Sequence, residues 1–282
     1  MASAGLTVSM ERFIADMRSV TLLVITLTCF LASPALAAQC GGDFGLFVET
    51  FKREAAAKGI SDRTVASAFA GVTPDPQVIA LDRRQVVFKQ TFEQFGPPRI
   101  AQRLARAKFM VLRHGSMLGR IEQQFNVQGE VLIAIWGLET DFGAGIGKQP
   151  TVRALATLAN DCRRTDMFQA ELMDALRIVE RGDLALSEMR GAWAGELGQT
   201  QFLPSSYVKF AVDFDGDGKR NLIHSVPDVL ASTANYLKGY GWQHGGAWTE
   251  GAPNFDVLKH WNKAEVYQKT IALFATRLAG NP

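Results

Sequence analysis

Most of this sequence is predicted to be helical, because apolar residues recur every three or four positions in one segment after another. In residues 43–58, three phenylalanines and Val48 share one helical face, and Gly59 supplies a stop signal. Further helices are predicted at residues 61–69, after 73–76, at 99–125 with a break near 114–115, and at 129–140, 151–159, 163–181, 204–211, 226–238 and 262–278. Strand signals are few and short. We therefore expect a mainly α fold with few short strands, in which residues 38–282 form a single domain.

The first 37 residues have the pattern of a secretory signal peptide. An apolar run at residues 20–32 is too short to span a bilayer and is followed by a small-residue cleavage site at 35–37. Acidic residues offset the arginines ahead of this run, so translation from Met17 would give a more typical signal. We expect export with cleavage after Ala37 or Ala38, and no transmembrane segment in the mature chain. A buried N-terminal helix is the alternative.

Two cysteines, Cys40 and Cys162, remain after that cleavage. Cysteines in an oxidising compartment can pair, and this bond would tie the mature N-terminus to the middle of the chain. We therefore predict a Cys40–Cys162 disulfide, with two free buried thiols as the alternative.

The overall charge excludes one large class of proteins. The chain has 30 basic and 28 acidic residues, a net charge of +2. A nucleic-acid-binding protein would show a basic excess or a basic stripe, so we expect no nucleic-acid partner. The four histidines lack the spacing of metal ligands.

Glu139 follows an apolar stretch and is the strongest candidate for a catalytic residue. Six apolar residues at 131–136 precede Gly137-Leu138-Glu139, which predicts that the carboxyl lies at the end of a buried helix. Burial disfavours the ionised form and raises the pKa of a carboxyl, so that it can act as a general acid near neutral pH. A structural glutamate that bridges helices is the alternative that this segment leaves open.

Two later segments, residues 191–207 and 234–242, combine glycines, amides and aromatic rings. Amide side chains can hydrogen-bond the hydroxyl and acetamido groups of a sugar, and aromatic rings can stack on its apolar faces. A core role is the alternative for any single tryptophan. The candidate substrate-binding residues are Gln199, Gln201, Tyr236, Trp193 and Tyr207.

Together, these segments resemble the B-type family of lytic murein transglycosylases. The motifs are Trp-Gly-x-Glu-Thr at 136–140, Gly-Gln-Thr-Gln-Phe-x-Pro-Ser-Ser-Tyr at 198–207 and Ala-Asn-Tyr-x-x-x-x-Gly-Trp at 234–242, in the family's order. The resemblance extends from about residue 40 to 278. It implies a lysozyme-like helical core with additional N-terminal helices, and a groove formed by about residues 128–248.

The resemblance also implies a reaction and the residues that perform it. Such enzymes cleave the β-1,4 bond between MurNAc and GlcNAc of peptidoglycan without water and leave 1,6-anhydroMurNAc ends. The N-acetyl group of MurNAc assists, and one glutamate, here Glu139, serves first as acid and then as base. Gln201 and Tyr236 would line the groove, and the chemistry would need no cofactor.

Two alternatives to this reaction stay open. The protein could be a lysozyme-type hydrolase in which Glu196 or Asp141 positions water, or a non-catalytic peptidoglycan-binding protein. Two residues depart from the family pattern: Ala192 stands where relatives often carry serine, and Glu196 stands where they carry a small apolar residue.

Residues 213–221 read as the first nine positions of a calcium-binding EF-hand loop. His224 stands at position 12 in place of glutamate, so the usual bidentate ligand is missing. The resemblance supports Asp228 as its substitute. A charged turn without an ion is the alternative. The expected ligands of a structural Ca²⁺ are Asp213, Asp215, Asp217, the backbone carbonyl of Lys219, and Asp228.

The sequence also predicts the partners and the location of the protein. We expect it to bind peptidoglycan glycan strands as a monomer. Gln39 precedes Cys40 where a lipoprotein signal would have a small residue, so we expect a soluble periplasmic form.

Overall fold

The computed structural model describes residues 38–84 and 90–280, and the predicted signal peptide lies outside this part of the chain. The mainly α fold with few strands is confirmed. The helices are α1 Phe44–Ala57, α2 Asp62–Ala68, α3 Pro76–Arg83, α4 Phe92–Phe125, α5 Gly129–Thr140, α6 Thr151–Asn160, α7 Thr165–Glu180, α8 Pro204–Phe210, α9 Val226–Gly239, α10 Pro253–Trp261 and α11 Glu265–Leu278. The strands are β1 Gln149–Pro150 and β2 Arg190–Gly191, and a 3₁₀ turn lies at Leu186–Glu188.

Helix α5 is the centre of the core. It packs against α4, α9 and α11, and the run from Val131 to Ile135 is completely buried. A helix that is apolar on all sides is stable only when other elements cover every face. Each large aliphatic side chain buried here contributes about 1.5–3 kcal/mol to folding. The position of Glu139 near the end of α5 is therefore fixed by the packing of the whole core.

The end of α5 is a sharp turn with left-handed backbone. Asp141, Phe142 and Gly143 all have positive φ values, of 53°, 59° and 83°. The amide of Asp141 donates to the carbonyl of Gly137, and that of Phe142 donates to the carbonyl of Trp136. Phe142 thereby folds back edge-on against the Trp136 ring, with centroids 5.5 Å apart. The chain leaves the helix within two residues of Glu139.

Helix α4 ends at Phe125 as predicted but differs from its prediction in its start and in the expected internal break. It begins at Phe92 rather than residue 99, and it continues without a break through residues 114–115. Thr91 and Gln94 form a capping box that starts the helix ahead of Pro97 and Pro98. The prolines remove only backbone bonds close to the N-terminus, and a glycine in the middle of a helix costs about 1 kcal/mol, which tertiary packing overrides.

The C-terminal part holds two helices where one was predicted. The predicted helix at 262–278 is α11, which begins at Glu265, and α10 was not predicted. Asn262 separates them with extended backbone, and its side-chain oxygen accepts the amide of Ala264 at 2.9 Å. Pro253 at the first position of α10 is a typical helix start.

Backbone hydrogen bonds hold the loop after β2 in place. β1 and β2 pair antiparallel, and the chain then folds back so that Leu197 bridges both Gly191 and Phe202. A Cβ atom on Gly191 would lie 1.7 Å from the carbonyl oxygen of Glu196, so only glycine allows this approach. The loop therefore holds Glu196 in a fixed position.

In the part of the chain that is described, no helix is both long enough and apolar enough to cross a membrane. The Cys40–Cys162 disulfide is present, with the two Cα atoms 5.0 Å apart, within the usual range for such bonds. It joins residues 122 positions apart in sequence and thus attaches the chain before α1 to the segment between α6 and α7.

We predict that replacing both cysteines, Cys40→Ser with Cys162→Ser, lowers the free energy of unfolding by about 2–4 kcal/mol, because the crosslink restricts the unfolded chain. Urea unfolding with and without dithiothreitol measures this. Reductant should destabilise the wild type and leave the double variant unchanged. Alkylation of both wild-type thiols in denaturant without reductant would contradict the bond.

Candidate active site

A cleft of about 360 Å³ opens at the end of α5, within the volume range of about 300–1,000 Å³ that is usual for ligand sites. Four parts of the chain form it: α5, the loop before α8 together with the first turn of α8, α9, and the junction of α10 and α11. Its lining residues are Glu139, Glu196, Thr200, Gln201, Phe202, Leu203, Ser206, Tyr236, His260, Trp261 and Asn262.

Glu139 is held by two aromatic donors from the C-terminal helices. The indole Nε1 of Trp261 donates to its Oε1 at 2.8 Å, and the hydroxyl of Tyr267 donates to the same oxygen at 2.9 Å. No other hydrogen bond to this carboxyl comes from residues 38–84 and 90–280. One oxygen of Glu139 is therefore anchored, and the carboxyl keeps acceptor capacity toward the cleft.

Burial raises the pKa of Glu139 from its ordinary value of 4.5 to about 7. The two hydrogen bonds from Trp261 and Tyr267 act in the opposite direction, because they favour the ionised form, and the nearby charge of Glu196 raises the pKa further. A carboxyl with a pKa near neutrality can both give and take a proton under physiological conditions.

The two donors are themselves fixed by ring packing. Tyr267 is buried, with its ring 6.0 Å from that of Phe95. The ring of Trp261 meets Phe202 and Tyr236 edge-on, at centroid distances of 5.6 and 5.1 Å. Burial also raises the pKa of Tyr267 well above its usual value, so that its hydroxyl stays a donor.

Two of the predicted substrate-binding residues, Gln201 and Tyr236, lie in the same cleft as Glu139. The side-chain amide of Gln201 donates to the carbonyls of Gly198 and Ile146, at 2.9 and 3.2 Å. With its NH₂ group bound in this way, Gln201 has its amide oxygen available as an acceptor. The hydroxyl of Tyr236 donates to the carbonyl of His260, which joins α9 to the end of α10.

The other three predicted substrate-binding residues do not line this cleft. Gln199 is buried: it accepts from the indole of Trp136 and donates to the carbonyl of Ile223, both at 2.8 Å. Tyr207 is completely buried and donates to the carbonyl of Arg220. Trp193 packs partly buried against the core. The hydrogen bonds of Gln199 and Tyr207 therefore give both residues a role in holding the fold together.

Sequence reasoning missed two residues of the site, Trp261 and Tyr267, and did not place Glu196 in it. Trp261 and Tyr267 lie beyond the predicted groove region, 122 and 128 residues after Glu139, and no local motif marks them. Glu196, which departs from the family pattern and was considered as a residue that positions water, lines the cleft. Asp141 does not line it; its carboxylate lies 3.6 Å from both Arg103 and Arg106.

The predicted calcium loop brings three of its acidic residues together. Asp213, Asp215 and Asp217 each offer an oxygen, all within 4.8 Å of one another. Ligands of one Ca²⁺ lie 2.3–2.6 Å from the ion, so they can be at most about 5 Å apart, and this spacing fits. The amides of Gly216 and Gly218 donate to opposite oxygens of Asp213, which orients its carboxylate.

Asp228 lies outside this converging group. It is completely buried, and its two oxygens accept the amides of Phe214 and Asn221, each at 2.8 Å. Asp228 thus fastens both ends of the loop to the start of α9. The amide of Lys219 donates to Asp217 at 2.8 Å.

The family model described as "Transglycosylase SLT domain" matches residues 43–252. The membrane-bound lytic murein transglycosylase B of Escherichia coli K12 is 41% identical over 129 residues, which make up 45% of this chain and 36% of the relative. The matched region therefore spans about a third of that relative's length.

Two solved structures extend the comparison to most of the chain. SltB3 from Pseudomonas aeruginosa, in complex with NAG-NAM-pentapeptide, has a TM-score of 0.81 and 31% identity, covering 86% of this chain and 81% of SltB3. The Escherichia coli lytic transglycosylase Slt35, in complex with calcium, has a TM-score of 0.72 and 24% identity, covering 86% and 96%. These matches confirm the lysozyme-like helical fold. With the family model spanning most of the described residues, the chain belongs to the transglycosylase SLT domain family.

Proposed function

We propose that this protein is a lytic murein transglycosylase that cleaves the MurNAc–GlcNAc β-1,4 bond of peptidoglycan without consuming water. The observation that carries the proposal is the carboxyl of Glu139, which lies partly buried in the wall of the cleft and whose pKa is raised by desolvation to about 7. The NAG-NAM-pentapeptide bound to SltB3 supports the same class of substrate.

In the first step, protonated Glu139 donates its proton to the glycosidic oxygen. The bond between that oxygen and C1 of MurNAc breaks, and the acetamido oxygen of the same sugar forms a bond to C1. The hydrogen bonds from Trp261 and Tyr267 stabilise the carboxylate that this step produces.

In the second step, the ionised Glu139 takes the proton from the C6 hydroxyl of MurNAc. The C6 oxygen attacks C1, the bond to the acetamido oxygen breaks, and a 1,6-anhydro ring closes. Glu139 regains its proton and no water enters the balance. A pKa of about 7 suits a group that must act as both acid and base.

A lysozyme-type hydrolase of the same bond is the runner-up, because Glu196 places a second carboxyl in the cleft. An inverting hydrolase needs such a group to activate water. Asp141 is a poor candidate for this role, since it faces Arg103 and Arg106 outside the cleft.

We further propose that Asp213, Asp215 and Asp217, with the carbonyl of Lys219, hold a structural Ca²⁺, and that Asp228 braces the loop. The convergent carboxylates support this assignment. The ion would neutralise three neighbouring negative charges and stabilise the segment that leads into α9.

We also propose that the protein acts in the periplasm as a monomer. The signal-like pattern of the first 37 residues and the disulfide both support an exported protein.

The first prediction from the proposed function concerns the product of the reaction. Digestion of purified peptidoglycan should release anhydro-muropeptides, which are lighter by one water than hydrolysis products in mass spectrometry. Glu139→Gln should lower the rate by about 10²–10⁴-fold, because it removes the general acid. Asp141→Asn, two residues away and outside the cleft, is the matched control and should stay active. Reducing-end products would indicate a hydrolase.

The second prediction concerns pH dependence. Activity should fall as pH rises through about 7, the pKa of Glu139, because the ionised form cannot protonate the leaving group. Tyr267→Phe removes a donor that favours the ionised form, so the pKa of Glu139 should rise and the alkaline limb of kcat/KM should move to higher pH. If the alkaline limb of this variant stays at the same pH or moves to lower pH, Glu139 is not the group whose ionisation limits the rate.

The third prediction concerns calcium. Millimolar Ca²⁺ should raise the melting temperature of the chelated protein, since an ion that binds only the folded state stabilises it. Calorimetric titration should show a weak site, with Kd on the order of 10⁻⁴–10⁻³ M. Asp217→Asn should abolish both effects, whereas Asp256→Asn, an exposed acid on α10, should not. No heat and no shift in the wild type would refute the site.

A further inference from the structure

Glu196 brings a second carboxyl to the wall of the cleft that contains Glu139. Its Oε2 accepts the amide of Ala194 at 3.0 Å, and its own backbone N–H also favours its ionised form. In the described ranges 38–84 and 90–280, no side chain donates a hydrogen bond to this carboxyl. An ionised carboxyl can accept about four hydrogen bonds, so Glu196 keeps acceptor capacity for a ligand in the cleft.

The backbone around Glu196 is held by hydrogen bonds, which fixes the point from which its side chain leaves the loop, and the amide of Ala194 holds one of its carboxyl oxygens. The carbonyl of Glu196 accepts the amide of Ala192 at 3.2 Å, and Leu197 and Phe202 exchange both backbone bonds, at 2.7 and 2.8 Å. Gly191 lies so close to the carbonyl of Glu196 that a Cβ atom would not fit between them. A carboxyl held in this way can orient a bound group, because little ordering remains to be done on binding.

Glu196 and Glu139 are electrostatically coupled across the cleft, since the charge of Glu196 acts on Glu139. Burial raises the pKa of Glu196, while Arg164 lowers it and Glu171 raises it. Whether protonated or ionised, a carboxyl keeps at least one acceptor oxygen. Glu196 can therefore accept an N–H donor throughout the reaction.

The group that most needs such an acceptor is the acetamido group of the sugar whose bond breaks. Its oxygen must point at C1, and positive charge develops on its nitrogen as the carbon–oxygen bond forms. An acceptor at the N–H fixes the orientation of the amide and stabilises that charge. Its stabilising effect is greater in the transition state than in the ground state.

We propose that Glu196 is a positioning residue whose carboxyl accepts the acetamido N–H of the MurNAc sugar at the scissile bond and orients it for attack on C1. This role rests on the proposed function, since it requires a substrate that carries an acetamido group. It assigns to the second carboxyl a task other than activating water.

The test compares kcat and KM of the wild type, Glu196→Gln and Glu171→Gln on the same solubilised glycan strands. In Glu196→Gln, the amide oxygen can still accept the hydrogen bond from Ala194. The NH₂ group then faces the cleft, and because it is a donor it cannot accept the acetamido N–H. Glu171 is a buried carboxyl of α7, bonded to Ser205 outside the cleft, and it provides the matched control.

We expect Glu196→Gln to lower kcat by about 10- to 100-fold, the range for losing a hydrogen bond to a charged group. KM should change by less than about threefold, because the contact acts mainly in the transition state, and the products should remain anhydro-muropeptides. Glu171→Gln should stay within about twofold of the wild-type kcat. Melting temperatures confirm that each variant is folded, and Glu196→Ala repeats the test if Glu196→Gln is not.

The outcomes separate the two proposals. An active wild type with an unchanged kcat in Glu196→Gln would overturn the positioning role alone. Equal losses in Glu196→Gln and Glu171→Gln would also overturn it, since they would indicate a general structural effect. Loss of reducing-end products in Glu196→Gln would assign Glu196 to water activation instead. A folded wild type that releases no anhydro-muropeptides would overturn the proposed function itself.

Discussion

The burial of α5 is the constraint on which the rest of this structure depends. Its apolar residues 131–135 are enclosed by α4, α9 and α11, so the helix cannot shift without opening the core. Because the helix ends within two residues of Glu139, the same packing that stabilises the fold delivers this carboxyl to the rim of the cleft. The desolvation that accompanies this placement raises the pKa of Glu139 to about 7. Stability and proton transfer thus have one physical origin, the dense packing around a single helix.

The cleft balances two opposing effects on that carboxyl. Desolvation and the neighbouring Glu196 favour the protonated form, while the donors Trp261 and Tyr267 favour the ionised form. Burial alone would raise the pKa so far that Glu139 could not give up its proton to the leaving group. Strong donors alone would lower the pKa so far that Glu139 would have no proton to give. The aromatic rings are well suited to this balance, because each contributes one donor and otherwise excludes water.

The sequence predicted those parts of the site that depend on neighbouring residues, and it could not predict the parts that depend on the fold. The placement of Glu139 followed from the apolar run before it, and the converging aspartates followed from loop spacing. Tyr267 reaches Glu139 because α11 packs along α5, and Trp261 reaches it from the end of α10, which packs against α9 and α11. Nothing in their local sequence indicates these contacts. Gln199 was predicted to bind the sugar, but its side chain accepts a hydrogen bond from Trp136 in the core. An amide side chain among glycines suits a sugar site and a core hydrogen bond equally well, so the sequence alone does not distinguish them. Likewise, the predicted start of α4 was wrong because a capping box outweighed two prolines.

Carboxyl NMR of protein with ¹³C-labelled glutamate measures whether burial raises the pKa of Glu139 to near neutrality. Glu171 and Glu196 also have raised pKa values because of burial, so the signal of Glu139 must be assigned by its loss in Glu139→Gln. We expect one glutamate carboxyl with a pKa of about 7, and its signal should be absent from the spectrum of Glu139→Gln. If the signal that disappears has a pKa near 4.5, the ordinary value for a solvated glutamate, burial does not raise the pKa of Glu139 and this carboxyl cannot act as the acid at neutral pH.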